Sequence, residues 1–142
     1  MLHDIARMWD ADQLLAYMRE HRLPVSSVER DAPALLHARI GAHIARERFG
    51  IDDPLVLAAI ERHTVAVPGM SDLEKILYIA DTIEPSRTFA AQRELAAKAY
   101  RSLDEGLLAC IRASMDYLQS KGIPIPPQTR ALERELVTNG EA

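Results

Sequence analysis

Apolar residues recur every third or fourth position along almost the whole chain, and nowhere do they alternate with polar ones for the length of a strand. That spacing puts them on one face of successive helices. Prolines, glycines and capping residues punctuate the pattern. Leu2 to Met8 reads as the tail of a helix. A second helix is expected over Asp12 to His21 and is broken by Leu23-Pro24-Val25-Ser26-Ser27. A third runs from Pro33 to Phe49, with Gly50 just past its end. A fourth opens at Asp52-Asp53-Pro54 and reaches His63. Ser71-Asp72-Leu73-Glu74 reads as a capping box and starts a fifth, which ends at Glu84 before Pro85. A sixth covers Ala90 to Arg101. A second box, Ser102-Leu103-Asp104-Glu105, starts a seventh that runs to Lys121 and is closed by Gly122. A last short helix is expected over Gln128 to Val137, with residues 138–142 frayed.

The expected fold class is therefore all-α. A length of 142 residues suits one domain around one core, and aromatics make up only 5% of it. Leu, Ile, Val, Ala and Met must fill the interior. A net charge of −4 argues against a nucleic-acid surface, although a small phosphorylated ligand needs only a local basic patch. The single Cys110 excludes an intrachain disulfide and suits a reducing, cytoplasmic setting. No apolar run approaches the ~20 residues of a membrane span, and the N-terminus lacks the pattern of a signal peptide.

Helical phasing sorts the five histidines. His37 shares a face with Ile40, Gly41 and Ile44 and points inward. His63 ends its helix on the face of Val56, Ala59 and Ile60. His3 lies between Leu2 and Ile5, next to Asp4. His43 falls near Arg39 and Glu47 and is expected in solvent. His21 closes a helix, where the dipole favours it without any function. Asp81 lies in Ile76-Leu77-Tyr78-Ile79-Ala80-Asp81-Thr82-Ile83, a run too apolar for a surface carboxylate. Buried there, it needs a cation, a donor cluster or a metal. His3, Asp4, His37, His63 and Asp81 thus form a set of nitrogen and oxygen ligand candidates suited to Fe, Mn, Co or Zn. Each also has a plainer reading. An inward His is more often hydrogen-bonded than metal-bound, and Asp81 could pair with Lys75 or an Arg.

Leu2-His3-Asp4-Ile5-Ala6-Arg7 resembles the signature of HD-domain phosphohydrolases. Further segments resemble one branch, the YqeK family of symmetrical diadenosine tetraphosphate hydrolases. They are Leu35-Leu36-His37-Ala38-Arg39-Ile40-Gly41-Ala42, Ala59-Ile60-Glu61-Arg62-His63-Thr64, and the run from Pro68-Gly69-Met70-Ser71 through Ala80-Asp81-Thr82-Ile83-Glu84-Pro85-Ser86-Arg87. Lys121-Gly122-Ile123-Pro124-Ile125 resembles the family's C-terminal turn. The resemblance implies an HD-domain helical bundle over residues 1–137. It implies two divalent ions, iron first and Mn or Co as alternatives. His3, Asp4 and Asp81 would hold one ion, and Asp4 would bridge to a second held by His37 and His63. A hydroxide between the metals would attack a central phosphorus and split the dinucleotide into two ADP. Asp4 and Arg87 would then serve catalysis. Thr64, Lys75 and Arg87 would contact phosphate, Arg87 through its bidentate fork. Solvated helix-end charge, or a cap in the case of Thr64, is the plainer reading of these three.

Two departures from the family pattern bear on activity. The family's first metal ligand is a His on a helix upstream of the His-Asp pair, and here only Met1 precedes Leu2. This suggests an internal Met taken as a start, or an N-terminally truncated domain whose exposed core would favour a homodimer. Where the family has a Gly after His-Thr-Thr, this chain reads His63-Thr64-Val65-Ala66. The alternatives are therefore an HD phosphohydrolase acting on another nucleotide, or an inactive nucleotide-binding remnant. No nucleic-acid or membrane partner is expected.

Overall fold

The structure is a computed structural model that describes residues 2–84 and 91–140. Every regular element among the described residues is a helix. The chain divides into two compact units, Met1–Thr64 and Val65–Ala142.

In the first unit a 3-10 turn, Leu2–Asp4, precedes α1 (Ala11–Glu20) and the short α2 (Ser27–Asp31). A second 3-10 turn, Pro33–Leu35, leads into α3 (Leu36–Phe49), and α4 (Pro54–Arg62) follows. The central helix is α3, against which the Leu2–Asp4 turn, α1 and α4 all pack. One of its faces joins Ala6, Leu14, Tyr17 and Met18 through Leu36, Ile40 and Ile44. Another joins Ile60 through Ala42 and Ala45. Two apolar stripes on one helix allow elements to pack on both sides of it. Gly50 ends α3 at φ 64°, a left-handed conformation that its missing Cβ permits.

In the second unit α5 (Asp72–Thr82), α6 (Gln92–Arg101) and α8 (Pro127–Gly140) pack around α7 (Leu103–Ser120). Leu107, Cys110 and Ile111 of α7 are fully buried among Tyr78, Ile79, Leu95, Leu132 and Leu136. Each large apolar side chain so enclosed contributes roughly 1.5–3 kcal/mol. Burial pushes the Cys110 thiol up to about 11, so it is a packing residue and not a nucleophile. Glu74 is buried yet satisfied, because its carboxylate closes the Ser71 capping box at 2.7 Å.

The all-α expectation holds, with local corrections. Leu2 to Met8 is not a helix tail but a 3-10 turn followed by further turns. The segment read as a simple break contains α2, capped by a complete Ser26–Glu29 box. Asp10–Gln13 forms another complete box, whereas at Ser102 the side chain only accepts from the Glu105 amide. The last helix continues to Gly140, past the expected end at Val137. The buried apolar residues form three clusters where one core was expected. The apolar run around Asp81 is not enclosed, since α5 buries Glu74, Tyr78, Ile79 and Thr82 and leaves Ile76 52% exposed. Asp81 itself is half-buried.

Glu29 supplies a pH-dependent anchor for α2. Its carboxylate accepts from Arg39 at 2.7 Å and from the Ser26 amide and hydroxyl, each at 2.8 Å. Burial alone would raise this carboxyl, but the Arg39 and Ser26 bonds outweigh it and hold it below its ordinary 4.5. A depressed carboxyl stabilises the fold above its unfolded value and loses that contribution as pH falls through its folded value. Glu29→Gln should therefore cost about 1 kcal/mol at neutral pH and nothing near pH ~2. Urea denaturation of both proteins at the two pH values checks this; an equal gap at both would remove the ionic explanation.

Candidate metal centre

Four side chains of the first unit converge. His3 and Asp4 come from the Leu2–Asp4 turn, His37 from the first turn of α3, and His63 from the residue that caps α4. The turn can lie this close because α3 carries Gly41 beneath it. A Cβ built on Gly41 would stand 3.1 Å from the His3 carbonyl oxygen and 3.3 Å from that of Leu2. His3 and His63 are buried; Asp4 and His37 are half-buried.

The imidazoles of His37 and His63 are oriented in the same way. Nδ1 of His37 donates to the Ala34 carbonyl at 2.6 Å, and Nδ1 of His63 donates to the Ile60 carbonyl at 2.6 Å. A carbonyl can only accept, so in each ring Nδ1 carries the proton. In the neutral rings both Nε2 atoms then present lone pairs, and they lie 3.3 Å apart. Two facing lone pairs repel unless a cation lies between them. Burial lowers the His37 pKa; the Ala34 bond and Asp4 pull it up, His63 pushes it down, and the result stays below 6.5. The neutral, ligand-competent ring is thereby favoured.

Asp4 completes a triangle. Its Oδ1 lies 3.3 Å from His63 Nε2 and 3.5 Å from His37 Nε2. The centre of a triangle with edges of ~3.4 Å is about 2 Å from each corner, which is the length of a metal bond to imidazole or carboxylate. The residues therefore fit a divalent ion. The second carboxylate oxygen, Oδ2, faces His3 Nε2 at 3.6 Å and accepts from Arg7 Nη1 at 2.9 Å. His3, Asp4 and His63 themselves form a group able to hold an ion. Asp4 thus presents one oxygen to each of two histidine sets. Burial would raise its carboxyl, but the Arg7 hydrogen bond and the charges of His3, Arg7 and His63 hold it below 3.8.

Arg7 was missed as a site residue from sequence. Its i, i+3 spacing from Asp4 was the available signal. The Ala34 and Ile60 carbonyls were also missed, because main-chain acceptors leave no trace in residue identity. The remaining site candidates are distributed as follows. Thr64, half-buried, follows His63 at the end of the first unit. Asp81 belongs to α5 of the second unit. Lys75, on the same helix, gives its ammonium to Asp104 at 2.7 Å. Arg87 lies outside the described residues. His43, expected in solvent, is half-buried, with its Nδ1 2.9 Å from the Tyr17 hydroxyl.

The HD domain family matches residues 1–86. The chain is similar to the symmetrical bis(5'-nucleosyl)-tetraphosphatase of Bacillus subtilis (strain 168), with 33% identity over 129 residues, 91% of this chain and 69% of that protein. Its similarity to the protein of the same name from Halalkalibacterium halodurans is 35% over 137 residues, 96% of this chain and 73% of the relative. A solved structure, a predicted HD superfamily hydrolase involved in NAD metabolism from Clostridium acetobutylicum, superposes with a TM-score of 0.87 at 33% identity. That match covers 97% of this chain and 73% of the solved one.

Proposed function

Because the chain belongs to the HD-domain family and is an HD-family hydrolase, we propose that it cleaves diadenosine tetraphosphate symmetrically into two ADP. The observation that carries this reading is the pair of Nε2 atoms of His37 and His63, 3.3 Å apart with both Nδ1 protons committed to carbonyls. Only a shared cation makes that arrangement favourable in the neutral rings.

In this reading His37, His63 and Asp4 Oδ1 hold one divalent ion, and His3 with Asp4 Oδ2 hold another. Asp81 is a further ligand, supported by its place in the Ala80-Asp81-Thr82-Ile83-Glu84-Pro85 motif alone. Iron is the first choice of metal, with Mn or Co as alternatives, because the donors are imidazole and carboxylate without thiolate. When bound, such ions supply a nucleophile at neutral pH and neutralise charge on the phosphoryl oxygens. The protein's own part is to orient. The Ala34 and Ile60 carbonyls fix two rings, and Arg7 fixes the carboxylate. Thr64 could donate to a phosphate oxygen, and the bidentate fork of Arg87 suits another. Lys75 is left out of this set because Asp104 holds its ammonium. A cytoplasmic setting follows from such a substrate and from the lone buried thiol. Among the described residues no helix is long and apolar enough to cross a membrane.

Product analysis tests the proposal. The full chain loaded with Fe, Mn or Co should release ADP alone from diadenosine tetraphosphate, two per substrate consumed. Release of ATP and AMP would overturn symmetrical cleavage. No turnover above the metal-free rate with any of the three ions would overturn the enzyme reading for this substrate.

A further inference from the structure

The two halves of the candidate metal centre meet across one glycine. His37 and Gly41 are one turn apart on α3, and His63 caps α4. His3 and Asp4 are carried by the Leu2–Asp4 turn, which packs on both α3 and α4. Gly41 is buried in the interior of the 14-residue α3, where alanine is the better helix former.

A Cβ at position 41 would meet different resistance on its two sides. Towards α4 its nearest neighbour is Ile60 Cγ2 at 3.5 Å, an ordinary van der Waals contact. Towards the turn, the His3 and Leu2 carbonyl oxygens stand at 3.1 and 3.3 Å, so the turn must retreat by a few tenths of an ångström. Both are main-chain atoms, and no rotamer change moves them. The helices that hold His37 and His63 can therefore stay in place while the turn shifts. Arg7 belongs to the same segment as the turn and donates to Asp4 Oδ2 at 2.9 Å, so the carboxylate is held back from swinging independently towards α3.

We propose that Gly41 is a positioning residue of the metal centre: by lacking a Cβ it lets Asp4 Oδ1 reach the Nε2 atoms of His37 and His63. Oδ1 now lies 3.5 and 3.3 Å from those two nitrogens. That spacing admits one ion about 2 Å from each donor, and metal–ligand distances hold to within about 0.2 Å. A retreat of a few tenths of an ångström exceeds this margin for the carboxylate. It leaves the two imidazole nitrogens 3.3 Å apart, as they are. The inference rests on the metal centre of the preceding reading and not on the substrate.

Titration calorimetry with Mn2+ and thermal unfolding of the metal-free protein test this together, without any measurement of hydrolysis. Gly41→Ala should bind Mn2+ at least about tenfold more weakly than the parent chain. Its metal-free Tm should stay within about 5 °C of the parent or rise above it, because alanine favours the helix. A merely structural role would lower the Tm and leave the affinity of the folded protein unchanged. Gly41→Ser, which adds the same Cβ, should repeat the loss of affinity. Equal Mn2+ affinity in Gly41→Ala and a metal-binding parent would overturn the proposal. A metal-free Tm more than about 5 °C below the parent would also overturn it, by making Gly41 a requirement of the fold. If the parent chain itself takes up no Mn2+, the metal centre is refuted and this role for Gly41 with it.

Discussion

Asp4→Asn should abolish metal retention and lower hydrolysis by about a thousandfold or more, equivalent to roughly 4 kcal/mol of transition-state stabilisation. The substitution keeps the shape of the side chain and removes its charge. The three histidines around it are neutral as ligands, so Asp4 is the only anion in the described cluster. An amide also has one acceptor where the carboxylate has two, and here both oxygens are used. Oδ1 faces His37 and His63, and Oδ2 faces His3 and Arg7. The amide that replaces the carboxylate could serve one set or the other but not both. The fold should survive, because Asp4 is only half-buried and the Arg7 side chain is 48% accessible. Metal content by elemental analysis and Tm measured without added metal separate the two effects. Arg7→Ala, which removes an orienting contact and no ligand, should lower metal affinity only about 10–100-fold. Full metal content in Asp4→Asn would show that the carboxylate is not the shared ligand.

The parts of this site that were legible in sequence are those fixed by helical phase. His37 and His63 could be assigned inward because their neighbours, Ile40 and Gly41 for one and Ala59 and Ile60 for the other, are buried with the spacing of a helix. The same logic failed at His43. Phase alone put it with Arg39 and Glu47, yet α1 packs there and brings Tyr17 against it. A surface assignment from one helix cannot anticipate a neighbour that covers it. At Asp81 the apolar run suggested full enclosure; α5 buries one stripe, leaves Ile76 exposed and leaves Asp81 half-buried. At α2 the Ser26–Glu29 spacing is a readable capping signal, masked by the turn chemistry of Pro24 and the paired serines beside it.

The largest structural effect is expected at Gly106, where local propensity and packing predict opposite signs. Gly106 lies inside α7, and an alanine there should be favoured by roughly 0.5–1 kcal/mol on propensity alone. A Cβ at that position would stand 2.5 Å from the Ala99 Cα and 2.6 Å from its Cβ, with the Ala99 nitrogen at 3.0 Å. These are not ends of flexible side chains. Two are backbone atoms of α6, so no rotamer change relieves the overlap and α6 must move away from α7. That displacement would open the contact through which Leu95 joins Leu107, Cys110 and Ile111. Gly106→Ala should therefore destabilise the protein by about 2–4 kcal/mol and lower its Tm by roughly 6–15 °C. Ala99→Gly in the same chain should recover only part of this, since it removes the Cβ and leaves the Cα. Gly140→Ala serves as the control, because a Cβ there meets nothing within 4 Å and should change little. A Gly106→Ala variant that melts higher than the parent would show that propensity outweighs the close approach, and that α6 is free to shift at little cost.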